Sequence, residues 1–156
     1  CGTMSFDTAG RTMMGITSAA MSDLVEKLDH KPLAFGANCG VGASDLMRTV
    51  LGFRASGNER PVIAKGNAGI PKYVDGHIHY DGTPELMARY AVLARDAGAK
   101  IIGGCCGTQP VHLAAMRKAL EETPRGAVPS LEQIAAELGG FSSGSDGTDG
   151  HGPQRR

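Results

Sequence analysis

Four times along the chain, a short β-prone stretch leads into a loop and then into residues at helical spacing. The β-prone stretches are residues 4–6, 32–38, 61–65 and 100–103. After the first comes Met21, Leu24, Val25 and Leu28, an i, i+3, i+4, i+7 pattern that predicts an amphipathic helix. Leu46, Met47, Val50 and Leu51 give the second apolar helical face. The third helix starts at Thr83-Pro84-Glu85, where threonine can cap and proline suits the first turn, and it stops before Gly98. Pro110 opens the fourth, with Leu113, Met116 and Leu120 on one side. Ser130 to Gln133 fits a capping box for a last short helix that ends at Leu138-Gly139. Residues 70–82 are expected to form a long loop. Alternation of this kind predicts an α/β fold of parallel strands with helices packed outside. Four βα units are half of a (β/α)8 barrel, and a half barrel leaves two strand edges unpaired.

Composition narrows the function. The 156 residues carry 16 Lys+Arg against 16 Asp+Glu, so the basic excess that phosphate contacts require is missing and no nucleic-acid partner is expected. No apolar run approaches the roughly 20 residues of a membrane span, and no signal segment opens the chain. The first residue is Cys1 and not Met, from which upstream sequence is expected to be missing. Glycine is unusually frequent, at 23 residues, which predicts tight loops between compact elements. Gly, Ser and Asp dominate beyond Phe141. The expected division is a folded unit over 1–139 and a disordered tail over 140–156.

The four cysteines, Cys1, Cys39, Cys105 and Cys106, are too few for a secreted disulfide scaffold. A reduced, cytoplasmic protein that uses thiols for chemistry or metal is the expected setting. Cys39 ends the second strand, and Cys105 and Cys106 end the fourth. Parallel strands all point one way, so the three lie at the same carboxyl-terminal face, where a barrel assembles its active site. With one strand between them, their Cα atoms should be about 10 Å apart, close enough for side chains to share a metal. Three thiolates would leave one tetrahedral position open, as catalytic zinc sites do. Cys1 belongs at the opposite end of its strand and is not expected to close the site. The competing reading makes these cysteines small buried hydrophobes, and no short CxxC spacing argues against it.

Gly36-Ala37-Asn38-Cys39, Gly66-Asn67-Ala68-Gly69 and Gly103-Gly104-Cys105-Cys106-Gly107-Thr108 resemble the signature segments of the homocysteine S-methyltransferase family, in the family's order. The stretch from Ser5 to Thr12 resembles the fifth-strand region of its betaine–homocysteine methyltransferase-like bacterial members. The resemblance covers about residues 1 to 139. It implies the carboxyl-terminal half of an eight-stranded (β/α) barrel about twice this long. It also implies a Zn2+ held by Cys39, Cys105 and Cys106, homocysteine as methyl acceptor, and methionine as product. Betaine is the implied donor, with S-methylmethionine or a methylfolate as alternatives. The first four strands, which in betaine-using relatives hold the homocysteine amino group and the donor's ammonium, map to nothing here. The expected partner is therefore a missing amino-terminal half, or a second copy through self-association. The other outcome is an inactive zinc-binding half barrel.

The chemistry suits these residues. A free thiol has a pKa near 8.5 and is mostly protonated at neutral pH, whereas a thiol on a metal is deprotonated. Three anionic ligands leave the incoming sulfur enough electron density to attack a methyl group. Asn38, Asn67, Gly107 and Thr108 are expected to contact substrate, the last two through amides at the start of the helix near Pro110. Asn67 serves equally well as a loop cap. Other features have plainer readings. Gly40-Val41-Gly42-Ala43-Ser44 has Asp45 where a dinucleotide loop needs its third glycine, and reads as an ordinary strand–helix turn. His77 and His79 could be paired ligands but suit a polar surface loop better. Met13, Met14, Met21 and Met47 read as core filling.

Overall fold

The computed structural model describes residues 1–145. In chain order its elements are β1 (Gly2–Met4), α1 (Ser18–Lys27), β2 (Phe35–Cys39), α2 (Ala43–Ala55), β3 (Val62–Gly66), β4 (Pro71–Val74), β5 (His77–Tyr80), α3 (Pro84–Asp96), β6 (Ala99–Gly104), α4 (Pro110–Glu122) and α5 (Leu131–Leu138). The strands β1, β2, β3 and β6 form one all-parallel sheet in that spatial order. The α/β class and the four-stranded parallel sheet expected from the alternation are both present. No helix among the described residues is long and apolar enough to cross a membrane.

Helix starts follow local chemistry. Thr17, Thr83 and Ser130 side chains accept hydrogen bonds from the amides of Ala20, Leu86 and Gln133, which satisfies donors that an open helix end leaves free. Helix residues Met47, Val50, Phe53, Met87, Tyr90 and Ala94 bury against Phe35, Ala37, Val62, Ala64 and Ala99 of the sheet. Phe53 is the hub, edge-on to Phe35 at 5.1 Å and to Phe6 at 5.6 Å. The opposite face is treated differently. Thr3, Ile63, Lys65 and Ile101 line a cavity of about 310 Å³ there together with Cys1 and Gly2. Ile101 remains 45% exposed on that side.

Three sequence expectations need correction. The first strand lies at Gly2–Met4 and not at 4–6, because Phe6 leaves the sheet to pack on Phe53. The 70–82 loop contains an antiparallel hairpin, β4 on β5, turned at Asp75-Gly76 with φ of 50° and 82°. Both central residues are left-handed, the twist a two-residue hairpin needs. Met21 and Met47 are buried as expected, but Met13 and Met14 are 81% and 86% exposed in the β1–α1 loop. They follow the tight Thr8–Arg11 turn. Of the segment expected to be a tail, residues 141–145 lie along α2. Arg48 stacks on the Phe141 ring at 3.8 Å and donates to Ser143 O, and Asp45 accepts from Ser142. Residues 146–156 lie outside the described part.

The sheet's carboxyl end is tied to α3 by one bond. The Gly66 amide donates to Tyr90 Oη at 3.1 Å, and Tyr90 is fully buried. Tyr90→Phe would keep the packing and orphan the amide, an expected loss of about 1–3 kcal/mol. Urea denaturation of the two proteins measures it. An unchanged midpoint would show that the bond contributes nothing.

Candidate metal centre

Register brings the cysteines together. Cys39, the last residue of β2, stands opposite Gly66 of β3, which stands opposite Gly104 of β6, and Cys105 follows directly. Cys39 Sγ lies 2.6 Å from Cys105 Sγ, and Cys106 Sγ lies 3.9 Å from each. These three residues form the one group among the described residues with enough His, Cys, Asp or Glu atoms to hold a metal ion. Cys39 has φ +55°, a left-handed conformation uncommon outside glycine, and turns the chain sharply at the strand end. Cys1 lies apart, in the cavity on the open sheet face.

The loops that carry the thiols are fastened through Asn67. This buried side chain donates from Nδ2 to Gly40 O at 3.0 Å and accepts on Oδ1 from the Cys106 amide at 3.1 Å. One amide group thus joins the loops after β2, β3 and β6. The Cys105 amide donates to Gly66 O and the Ala68 amide to Cys106 O, which completes the attachment. Asn38 donates to Ser5 Oγ at 3.3 Å and braces β2 against the segment after β1.

Two glycines of the Gly103 to Thr108 segment have steric reasons to be glycine. A Cβ on Gly104 would lie 2.2 Å from Thr108 Oγ1, and one on Gly107, at φ +75°, would lie 2.4 Å from Tyr80 Cγ. Thr108 donates its amide to Cys105 O at 3.2 Å, and the Gln109 amide goes to His112 Nδ1 at 2.9 Å. The Thr108 hydroxyl, by contrast, is buried with no hydrogen-bond partner among the described residues. Such a group has an unmet demand for a ligand atom or water.

The three thiols are electrostatically unequal. Burial opposes ionisation of Cys39, but hydrogen bonds from Cys105, Asn38 and Cys106, with Lys65 nearby, outweigh it and lower its pKa below the usual thiol value. Burial and the neighbouring Cys39 push Cys105 up to about 11. Ionisation is therefore easier at Cys39 than at Cys105. Hydrogen bonding to Cys106, with burial and the sulfur charges, raises the Tyr80 phenol, so it stays protonated.

The family model for homocysteine S-methyltransferase matches residues 1–120. The chain belongs to the homocysteine S-methyltransferase family. Membership implies methyl transfer to homocysteine. Elsewhere in the chain, His77 and His79 sit exposed on the face of β5 turned away from Tyr80. They are not part of the cluster. Gly42 caps α2 in a strand–helix turn, and Asp45 in the first turn of α2 is bonded to Ser142. A cavity of about 640 Å³ lies between α1 and the loop before β3 around the Glu26–Arg60 pair, at the opposite end of the strands from the thiols.

Sequence reasoning missed two residues of the site. Tyr80 arrives on the hairpin, and Asp75-Gly76 between alternating residues was the available signal. His112 accepts from Gln109 on Nδ1, so Nε2 carries the proton and donates to Gly82 O at 3.0 Å. It joins α4 to the base of the hairpin. The Gln109 and His112 side chains form a reciprocal cap at the start of α4, which the usual serine-to-glutamate pattern does not reveal.

Proposed function

We propose that this chain is the carboxyl-terminal half of a (β/α)8 barrel that transfers a methyl group from betaine to homocysteine, giving methionine, with Zn2+ held by Cys39, Cys105 and Cys106. The observation that carries the reading is the convergence of three thiols from two non-adjacent strands. Zinc–sulfur bonds of about 2.3 Å put tetrahedral sulfur ligands about 3.8 Å apart. Cys106 stands 3.9 Å from both partners, which fits that spacing. Cys39 and Cys105 at 2.6 Å would have to part to reach it, and the soft all-sulfur donor set favours zinc. Bound there, Zn2+ would act as a Lewis acid that keeps a fourth thiol deprotonated at neutral pH.

The chain's own residues would do the rest. The three cysteines contribute negative charge, which preserves electron density on the acceptor sulfur. The unpartnered Thr108 hydroxyl offers a hydrogen bond to the acceptor's amino-acid end, and Asn38, Asn67 and Gly107 form the adjoining wall. In the transfer, a lone pair of the homocysteine thiolate forms the S–CH3 bond. The donor's methyl–nitrogen bond breaks, and the amine leaves with that electron pair. S-Methylmethionine would serve the same acceptor with its methyl–sulfur bond broken and methionine leaving as a thioether, and a methylfolate with its methyl–nitrogen bond broken and the departing nitrogen taking up a proton. Thiol ligands that must stay reduced suit a cytoplasmic setting.

The sheet supports the half-barrel reading. Its strands follow one another in sequence order, and β1 and β6 have free outer edges among the described residues. The face carrying Ile63 and Ile101 would become the interior on closure with an amino-terminal half, or with a second copy. The same edges favour a second reading, an isolated half barrel that binds zinc and homocysteine without turnover.

Purified under reducing conditions, the chain should carry one zinc, measured by atomic emission. Cys39→Ser or Cys106→Ser should lose most of it. Full zinc retained by the Cys39, Cys105, Cys106 triple serine variant would end the proposal. To separate the two readings, methionine formation from betaine is assayed with the chain alone and after adding a matching amino-terminal half. The active-enzyme reading expects little product alone and restored turnover with the half. No turnover in either case would support the inactive zinc binder.

A further inference from the structure

The loop between β6 and α4 carries two of the three thiols, and the loop after β3 is pressed against it. In that second loop the Ala68 amide donates to Cys106 O at 2.9 Å, and Ala68 O accepts from the Gly82 amide at 2.9 Å. The approach is close, since a Cβ on Gly82 would lie 2.2 Å from the Ala68 carbonyl carbon. Gly82 O in turn accepts from His112 Nε2 at 3.0 Å. His112 belongs to the first turn of α4, the helix into which the Cys106 loop runs. The chain from Cys106 to His112, and the hydrogen bonds from His112 back to Cys106, therefore close a ring.

The imidazole is the one side-chain link in that ring, and its two bonds have fixed polarity. The Gln109 amide, at 2.9 Å, can only donate, so Nδ1 is unprotonated. The Gly82 carbonyl can only accept, so Nε2 carries the proton. His112 is 7% exposed, which limits what water can replace. The two bonds do different things. The Nδ1 bond caps α4. The Nε2 bond leaves the helix, reaches the hairpin base and continues through Ala68 to Cys106. Cys106 is the exposed member of the three thiols, so packing does least to hold it.

We propose that His112 is a positioning residue for the metal centre: its Nε2–H, acting through Gly82 and Ala68, fixes the Cys106 loop where the Cys106 thiol meets Cys39 and Cys105. The inference rests on the metal-binding reading above. Loss of a partner that stands behind a metal ligand typically costs about 10–100-fold in metal affinity.

Two conservative variants separate the two bonds. Asparagine puts its amide oxygen where Nδ1 stands and reaches no farther, so His112→Asn keeps the cap on Gln109 and loses Gly82. Glutamine carries an amide N–H out to the Nε2 position, so His112→Gln keeps the bond to Gly82 and loses the cap. Zinc affinity is measured by competition with a chromophoric chelator. His112→Asn should bind zinc about tenfold more weakly, while His112→Gln should match the unsubstituted chain. Weakening in His112→Gln alone, which would make the cap the bond that matters, or equal affinity in all three proteins would overturn the proposal. If the unsubstituted chain takes up no zinc, the function above fails, and amide hydrogen exchange still decides the role of His112. In metal-free His112→Asn the Ala68 and Gly82 amides should exchange about tenfold faster, the effect of one lost hydrogen bond, while the core amides of β2 and β3 keep their protection. Unchanged exchange at Ala68 and Gly82 would overturn the proposal.

Discussion

Everything at the site depends on the parallel register that aligns the ends of β2, β3 and β6. Cys39, Gly66 and Gly104 stand in one row, so Cys39 and Cys105 leave their strands at nearly the same height with one strand between them. Antiparallel pairing would send one of the two thiols to the far end of the sheet. Their meeting distance of 2.6 Å is therefore a consequence of topology as much as of local sequence. A one-residue slip of β6 would break the row.

Holding like-charged sulfurs together has a cost, visible in the raised Cys105 and in the left-handed backbone of Cys39. Buried hydrogen bonds offset it. Asn67 joins three loops with a single side chain, and Tyr90 secures the Gly66 amide behind them. The Tyr90 bond is buried, where competition from water is weakest. Loops held by these bonds on a packed sheet keep the three thiols together, a group that could hold a metal ion.

Much of this was legible in the sequence, for reasons that can be named. Thr83, Pro84 and Gly98 mark the two ends of α3 because caps are local chemistry. The cysteines were legible because strand direction follows from βα alternation, and direction alone puts strand ends on one face. The hairpin was not. Asp75-Gly76 is a turn signal, but the flanking strands are solvent-exposed, so no apolar run announced them. Asn67 could be placed beside the site but not assigned its role, which depends on where three separate loops meet. Met13 and Met14 looked like core residues because composition carries no information about which way a loop leaves the sheet. Residues 140–156 read as a tail from their Gly, Ser and Asp content, and composition gives no sign of the partners that Arg48 and Asp45 on α2 offer Ser143 and Ser142.

An open coordination position distinguishes a site that activates a substrate thiol from one that only staples a fold. Among the described residues three cysteines converge, and Cys1 stands on another part of the sheet, so the chain itself supplies three sulfurs. X-ray absorption at the zinc edge, recorded with and without homocysteine, counts them directly. The account predicts three sulfur ligands and one lighter atom in the absence of substrate, and four sulfurs once homocysteine is added. A four-sulfur shell before any homocysteine is present, or a shell that homocysteine leaves unchanged, would contradict it.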